Sequence, residues 1–121
     1  MLKQEGYALI GAAFEVYNVL GYGLAEEIYQ QSLEIELELR NIPFVKQQQL
    51  EISYKQNQLS CQYRPDLMVY GSIVAELKAV RQFAAEHEGQ LMNYMRISNK
   101  RVGYLINFGC CEKLDWKRFI L

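Results

Sequence analysis

The 121-residue sequence has few cysteines and histidines, and each shortage excludes a kind of protein. Its three cysteines, two of them adjacent at Cys110 and Cys111, give neither an even disulfide framework nor a CxxC metal pair, which favours a reducing, cytoplasmic compartment. His87 is the only histidine, so a zinc site rich in histidine is excluded. Oxygen ligands for a harder cation remain plentiful, because the chain holds 14 Asp and Glu residues.

Long apolar runs are also missing. No run approaches the roughly 20 apolar residues that cross a bilayer, and Lys3, Glu5 and Glu15 interrupt the apolar residues near the N-terminus, so we expect neither a membrane span nor a signal peptide. Nothing resembles a Pro/Gly/Ser-rich linker, and half of the residues (50%) are hydrophobic, which is enough for one sizeable core. We therefore expect a single domain over residues 1–121.

The chain lacks the overall basic excess that is typical of nucleic-acid binders, since its net charge is −1. The charges are unevenly spread, with 4 Lys/Arg against 8 Asp/Glu in residues 1–60 and 9 against 6 in residues 61–121. This asymmetry indicates either a basic surface on the second half or ordinary solvated charge.

Two amphipathic helices are predicted before Pro43, which together with Asn41 ends the second of them. Residues 2–20 follow the spacing of three and four that marks one buried helix face. A break at residues 21–23, which include two glycines, precedes a second helix over about residues 24–40. The residues expected to face inward are Ile10, Ala13, Phe14, Tyr17 and Leu20 in the first helix, and Ile28, Leu33 or Ser32, Ile35 and Leu39 in the second.

The rest of the chain shows apolar and polar residues in alternation, which predicts strands. One hairpin is expected over residues 50–54 and 59–63 around a polar turn at residues 55–58, and another over residues 67–70 and 73–80 around Gly71 and Ser72. A helix over about residues 82–98, a strand over 101–108 and a short strand over 116–121 follow. The order α-α-β-β-β-α-β predicts an α/β fold, in which helices flank a mixed central β-sheet with a parallel crossover.

The strand predicted after Gly71 carries charge where apolar residues are expected. Because side chains alternate along a strand, Glu76 and Lys78 share one face, while the opposite face is apolar. Charges in such a strand are unfavourable unless they are paired or bind a metal. With Asp66 on the neighbouring strand they form either a cross-strand ion pair or a magnesium site, in which both acids bind the metal beside the Leu77 carbonyl. In the second case Lys78 orients water or neutralises developing charge.

Pro65, Asp66, Glu76 and Lys78 form the pattern P-D-x9-E-x-K. This pattern resembles that of the PD-(D/E)XK nuclease superfamily, whose restriction-endonuclease-like core places the two acids on adjoining strands. The resemblance implies that the acids bind Mg²⁺, for which Mn²⁺ is a substitute, and that the lysine assists the attacking water.

Two further motifs support the same resemblance. Gln90 and Tyr94, at i and i+4 on one helix face, match the Q-x-x-x-Y motif of several branches of the superfamily, and they either contact substrate and support the site or only pack. Residues 23–29, G-L-A-E-E-I-Y, resemble the signature of the GxxExxY proteins, a branch in which Glu26 supplies another active-site carboxylate and metal ligand. Stabilisation of the helix dipole is the alternative role for Glu26. Tyr22 departs from the family pattern, in which a proline lies between the two glycines.

The activity implied by the resemblance is that of a Mg²⁺-dependent nuclease, which hydrolyses phosphodiester bonds in DNA. The alternative is a non-catalytic module that binds nucleic acid or protein and retains the nuclease fold, although the intact set of Asp66, Glu76 and Lys78 favours catalysis. One small protomer with an acidic first half binds DNA poorly, so a homodimer is also expected. His87, between two glutamates, is interpreted as a solvated helix residue.

Overall fold

The computed structural model describes residues 1–121, in which helices flank a five-stranded mixed β-sheet. None of these helices has the length and the hydropathy that crossing a membrane requires. In chain order the elements are α1 (Lys3–Leu20), α2 (Glu26–Leu39), β1 (Phe44–Lys46), β2 (Ser53–Tyr54), β3 (Asn57–Gln58), β4 (Leu67–Val69), β5 (Ile73–Lys78), α3 (Ala85–Ser98), β6 (Val102–Asn107) and β7 (Asp115–Ile120).

The strand order in the sheet is β1-β4-β5-β6-β7. β5 and β6 are parallel, because α3 carries the chain from the end of one strand back to the start of the next. The other neighbouring strands are antiparallel. The predicted fold class, a mixed central sheet flanked by helices with one parallel crossover, is confirmed.

Two apolar layers fix the sheet between the helices. α1 and α2 pack on one face of β5 and α3 packs on the other, so the alternation predicted for β5 is confirmed. Glu76 and Lys78 lie on the α3 side. The apolar side chains of the first face are Ile73, Ala75 and Leu77, and those of the second are Val74 together with Leu105 of β6.

The inward face predicted for α2 is right only at Leu33, which is fully buried. Ile28, Ile35 and Leu39 are 44%, 60% and 72% exposed, and Phe14 of α1 is 40% exposed. The α2 residues that are buried are Tyr29, Gln30, Leu33 and Leu37.

Contacts of Tyr29 explain which stripe of α2 faces the core. Its ring stacks on Phe108, with ring centroids 4.6 Å apart. Its hydroxyl donates to the Gly21 carbonyl at 2.7 Å and accepts from the Leu24 N–H at 3.1 Å, so a tyrosine can be fully buried here without an unpaired polar group. The other apolar stripe of the helix, Ile28, Ile35 and Leu39, stays largely exposed.

The strands before β4 also differ from the prediction. The three residues of β1 pair with β4, although the sequence pattern shows no strand there. The hairpin predicted over residues 50–63 is reduced to β2 and β3, two residues each, outside the main sheet. Lys55 and Gln56 form its turn with φ of 47° and 70°, as a two-residue type I′ turn requires.

The turn between β4 and β5 begins one residue earlier than the sequence pattern predicts. It is a three-residue turn of Tyr70, Gly71 and Ser72, and the first two of these adopt positive φ, at 56° and 65°. The strand pairing set by this turn, extended by one residue, places Asp66 opposite Glu76. The predicted two-residue turn, Gly71 and Ser72, would place Asp66 opposite Leu77. The length of the turn therefore determines which side chains face each other.

Candidate active site

Asp66 and Glu76 face each other where the β4–β5 ladder ends. The Asp66 N–H donates to Glu76 Oε1 at 2.9 Å, and the Leu77 N–H donates to Asp66 Oδ2 at 2.7 Å. Each carboxylate therefore replaces a backbone carbonyl as the partner of the opposite strand. These two bonds orient both acids from the backbone, which is the most rigid support a side chain can have.

Burial disfavours the ionisation of both acids at once. Glu76 is only 3% exposed, and burial followed by the charge of Asp66 raises its pKa to about 8. The pKa of Asp66 is also raised, chiefly by burial, although the Leu77 N–H and the positive charge of Lys78 oppose that shift. Raised pKa values in two facing, buried carboxyl groups indicate that the protein offers too little compensation of their negative charge for both to ionise.

Lys78 does not supply that compensation through an ion pair. The salt bridges of the chain are Arg40–Glu36, Lys46–Glu34 and Lys117–Glu88. Lys78 takes part in none of them, so the interpretation of the three residues as a cross-strand ion pair is wrong. It still acts on the acids at longer range, since its charge lowers the pKa of both Asp66 and Glu76.

α3 brings both of its predicted site residues to the lysine. Lys78 Nζ donates to Gln90 Oε1 at 3.4 Å, and Gln90 Nε2 donates to the Tyr94 hydroxyl at 3.2 Å. Burial, followed by the charges of Glu76 and Asp66, raises the pKa of Tyr94, so its hydroxyl keeps its proton. The result is a continuous polar chain from the lysine to the buried side of α3. His87 makes no hydrogen bond to this chain of groups: its Nδ1 accepts from the Ala84 N–H at 3.0 Å and caps α3, while its charge lowers the pKa of Glu26.

Glu26, the first residue of α2, reaches the same region from the opposite helix layer. Burial raises its pKa, the charge of Lys78 lowers it, the charge of Asp66 raises it, and the backbone amide of Ala79 lowers it. These effects place its carboxyl group near the end of β5. No three Asp, Glu, His or Cys side chains in the chain form a ready metal-binding cluster. Glu26 is therefore related to Asp66 and Lys78 by the effect of their charges on its pKa.

The donor groups at this site fit a hard divalent cation. Asp66 and Glu76 offer two carboxyl groups whose mutual repulsion a cation would relieve. The Phe108 N–H donates to the Lys78 carbonyl, so the backbone polar groups of Lys78 point towards β6. Because these groups alternate along a strand, the N–H and the carbonyl of Leu77 point the other way, towards Asp66. Two carboxylates and one carbonyl, with water for the rest, are a donor set that suits Mg²⁺. Glu26 stays a predicted fourth ligand.

Asn107 is a site-supporting residue that the sequence analysis missed. Its side chain is fully buried, donates to the Val80 carbonyl at 2.7 Å and accepts from the N–H groups of Val80 and Gly109 at 2.9 and 3.0 Å. A Cβ on Gly109 would lie 2.3 Å from the Val80 nitrogen, so only glycine allows this approach. These hydrogen bonds fix the backbone that follows Lys78. A polar residue in a buried strand, two positions before a glycine, was the available signal.

Raising the pH from about 5 to about 8 should destabilise the protein when no divalent metal is present. The folded state keeps a proton on Glu76 up to its pKa of about 8, whereas the unfolded state releases it near 4.5. The folded state therefore binds more protons in this window, and stability is lost as the pH rises through it. Glu76→Gln keeps the bond from the Asp66 N–H but cannot ionise.

Calorimetric melting in EDTA checks this expectation. The melting temperature of the wild type should fall by roughly 5 °C more than that of Glu76→Gln between about pH 5 and 8. Parallel curves for the two proteins would show that Glu76 titrates normally.

Comparison with known proteins is consistent with this geometry. A family model described as the PD-(D/E)XK nuclease superfamily matches residues 3–119. No relative was found among the curated proteins. Among solved structures, the crystal structure of SSO0001 is similar to this chain, with a TM-score of 0.61 and 20% sequence identity. The match covers 98% of this chain and 59% of that one, so it shows a shared fold alone.

The family match extends over α1 and α2, the β4–β5 hairpin that carries Asp66 and Glu76, α3, and the last two strands. Assignment to the GxxExxY branch stays a prediction. Members of the matched superfamily are nucleases that typically use divalent metals. Because the family model spans nearly the whole sequence, the chain belongs to the PD-(D/E)XK nuclease superfamily.

Proposed function

We propose that this protein is a Mg²⁺-dependent nuclease that hydrolyses phosphodiester bonds in DNA, with Asp66 and Glu76 holding the metal and Lys78 assisting. The observation that carries the proposal is the pair of buried carboxyl groups, each fixed by a backbone N–H and neither neutralised by a salt bridge. An arrangement that is this unfavourable for stability alone is typical of a site shaped for a charged ligand.

The residues around Asp66 and Glu76 would have different roles in phosphodiester hydrolysis. A bound divalent cation supplies positive charge at the phosphate and makes water more acidic. Asp66, Glu76 and the Leu77 carbonyl would hold that cation, and Glu26 would add a carboxylate from α2. Lys78 directs its charge at the attacking water or at the phosphate oxygens that gain negative charge. Gln90, which donates to the Tyr94 hydroxyl, accepts from the lysine and so helps to position its charge.

A cleavage assay tests the proposal. The purified protein is incubated with linear, single-stranded and branched DNAs of one sequence, and with the matching RNA, in Mg²⁺, in Mn²⁺ and in EDTA. Cleavage of at least one DNA that requires the metal supports the proposal, and preference for RNA would correct the substrate. Absence of metal-dependent cleavage of every substrate would favour the non-catalytic binding module.

Self-association belongs to the same proposal. A second protomer would add its basic half to a DNA-binding surface that one acidic first half weakens. We expect sedimentation velocity at tens of micromolar to show a dimer, and a monomer throughout that range would contradict this expectation.

A further inference from the structure

A groove of about 680 Å³ opens beside the candidate active site, and we call it the β5–β6 groove. It is lined by residues 22–23, 79–81 and 109–112, which follow α1, β5 and β6. Ala79 links the groove to the active site, because this residue comes directly after Lys78 and its backbone amide acts on the Glu26 carboxylate. A ligand in the groove therefore lies next to the proposed reaction centre.

Two side chains that line the groove have no partner in the protein. Tyr22 is 56% exposed, its ring takes part in no aromatic pair and its hydroxyl makes no hydrogen bond. Arg81 is exposed and forms neither a salt bridge nor a side-chain hydrogen bond. The groove thus presents one free aromatic face and one free guanidinium to solvent.

The backbone on both sides of Tyr22 fixes the position of its side chain at the groove. Gly21 and Gly23 both adopt positive φ, at 76° and 85°, so the chain reverses sharply on either side of the tyrosine. The Gly23 N–H donates to the Phe108 carbonyl at 3.3 Å, which ties this turn to the end of β6. Tyr22 is therefore held at the groove rather than carried on a free loop.

A free guanidinium and a free aromatic ring beside a phosphodiester-cleaving site match the two parts of a nucleotide. Arginine binds phosphate through paired N–H groups, and tyrosine stacks on a base without regard to its identity. The volume of the groove lies within the range of roughly 300–1,000 Å³ that is usual for ligand pockets. Glu112, which also lines the groove, repels phosphate and so favours the base on its side and the phosphate near Arg81.

We propose that the β5–β6 groove binds an unpaired nucleotide next to the scissile phosphate, with Arg81 on its phosphate and Tyr22 against its base. The inference rests on the proposed nuclease function. In the interior of a duplex both faces of every base are covered by neighbouring bases, so Tyr22 stacks best on a base that has left the duplex stack. The substrate class is therefore single-stranded DNA, or DNA with unpaired nucleotides at an end or a branch.

Binding measurements on two groove variants and two matched controls test this site. Tyr22→Ala and Arg81→Gln are compared with Tyr7→Ala and Arg96→Gln, which change an exposed tyrosine and an exposed arginine outside the groove. Fluorescence anisotropy with a labelled single strand and with its duplex is read in EDTA, so that no strand is cut. Each groove variant should weaken single-strand binding by roughly tenfold, and both controls should bind like the wild type.

Steady-state cleavage with Mg²⁺ separates this site from the reaction centre. Groove variants should raise KM for the single strand and leave kcat within about twofold, because they remove binding that is equal before and during reaction. Groove variants that match their controls in binding and in KM, while the wild type cleaves, would overturn the groove and leave the nuclease proposal standing. Groove variants that lose single-strand binding while the wild type cleaves nothing would support the groove and overturn the nuclease. Equal losses for single strand and duplex, or a wild type that binds neither, would overturn the unpaired-nucleotide site.

Discussion

Asp66→Asn and Glu76→Gln should each abolish detectable Mg²⁺ binding and reduce DNA cleavage by roughly 10³-fold or more, because each removes one of the proposed anionic metal ligands. Both changes are conservative in shape. An amide oxygen can still accept from the Leu77 N–H at position 66 and from the Asp66 N–H at position 76, so the ends of β4 and β5 keep their bonds. Calorimetric titration with Mg²⁺ and Mn²⁺, read beside cleavage rates, measures both effects.

Stability should change in the opposite direction. At about pH 8, without metal, each variant should melt higher than the wild type, since it removes one member of a repelling, buried pair. Loss of activity combined with a gain in stability distinguishes a functional pair from a structural one. Asp115→Asn, an acid on the edge strand β7, serves as the control and should change neither property. Metal binding that persists in both site variants would exclude these two residues as the ligands.

The acidic pair could be predicted because its position depends on local rules. Side chains alternate along a strand, and Asp66 and Glu76 lie five residues on either side of Gly71, so a hairpin centred on that glycine brings them together. Only the length of the turn was wrong, because Tyr70 joins Gly71 and Ser72 in a three-residue turn. The shared helix face of Gln90 and Tyr94 could also be predicted, because residues four positions apart are neighbours on a helix.

The packing of α2 could not be predicted from its own sequence. The helix carries two apolar stripes, and the buried one is decided by the stacking of Tyr29 on Phe108, a residue 79 positions away along the chain. The same limit applies to Asn107, whose bonds to Val80 join the ends of two parallel strands that a helix separates in sequence. Contacts of this kind follow from the assembled sheet and leave no local periodicity.

Lys78→Ala should separate metal binding from catalysis. The lysine is in no salt bridge, and its charge opposes that of a bound cation, so metal binding should be retained or slightly strengthened in the variant. Cleavage should fall by roughly 10²-fold or more if Lys78 stabilises charge that develops only in the transition state. The fall should appear in kcat with little change in KM.

Two companion variants show whether position or charge matters at this residue. Gln90→Ala leaves the lysine in place but removes its hydrogen-bond partner, so it should reduce kcat by roughly tenfold, less than loss of the charge itself. Lys113→Ala removes an exposed lysine after β6 and should leave cleavage unchanged. A Lys78→Ala protein that binds metal and cleaves at the wild-type rate would remove the lysine from the mechanism. In that case Asp66 and Glu76 would remain as a metal site, and the charge that assists hydrolysis would have to come from the metal alone.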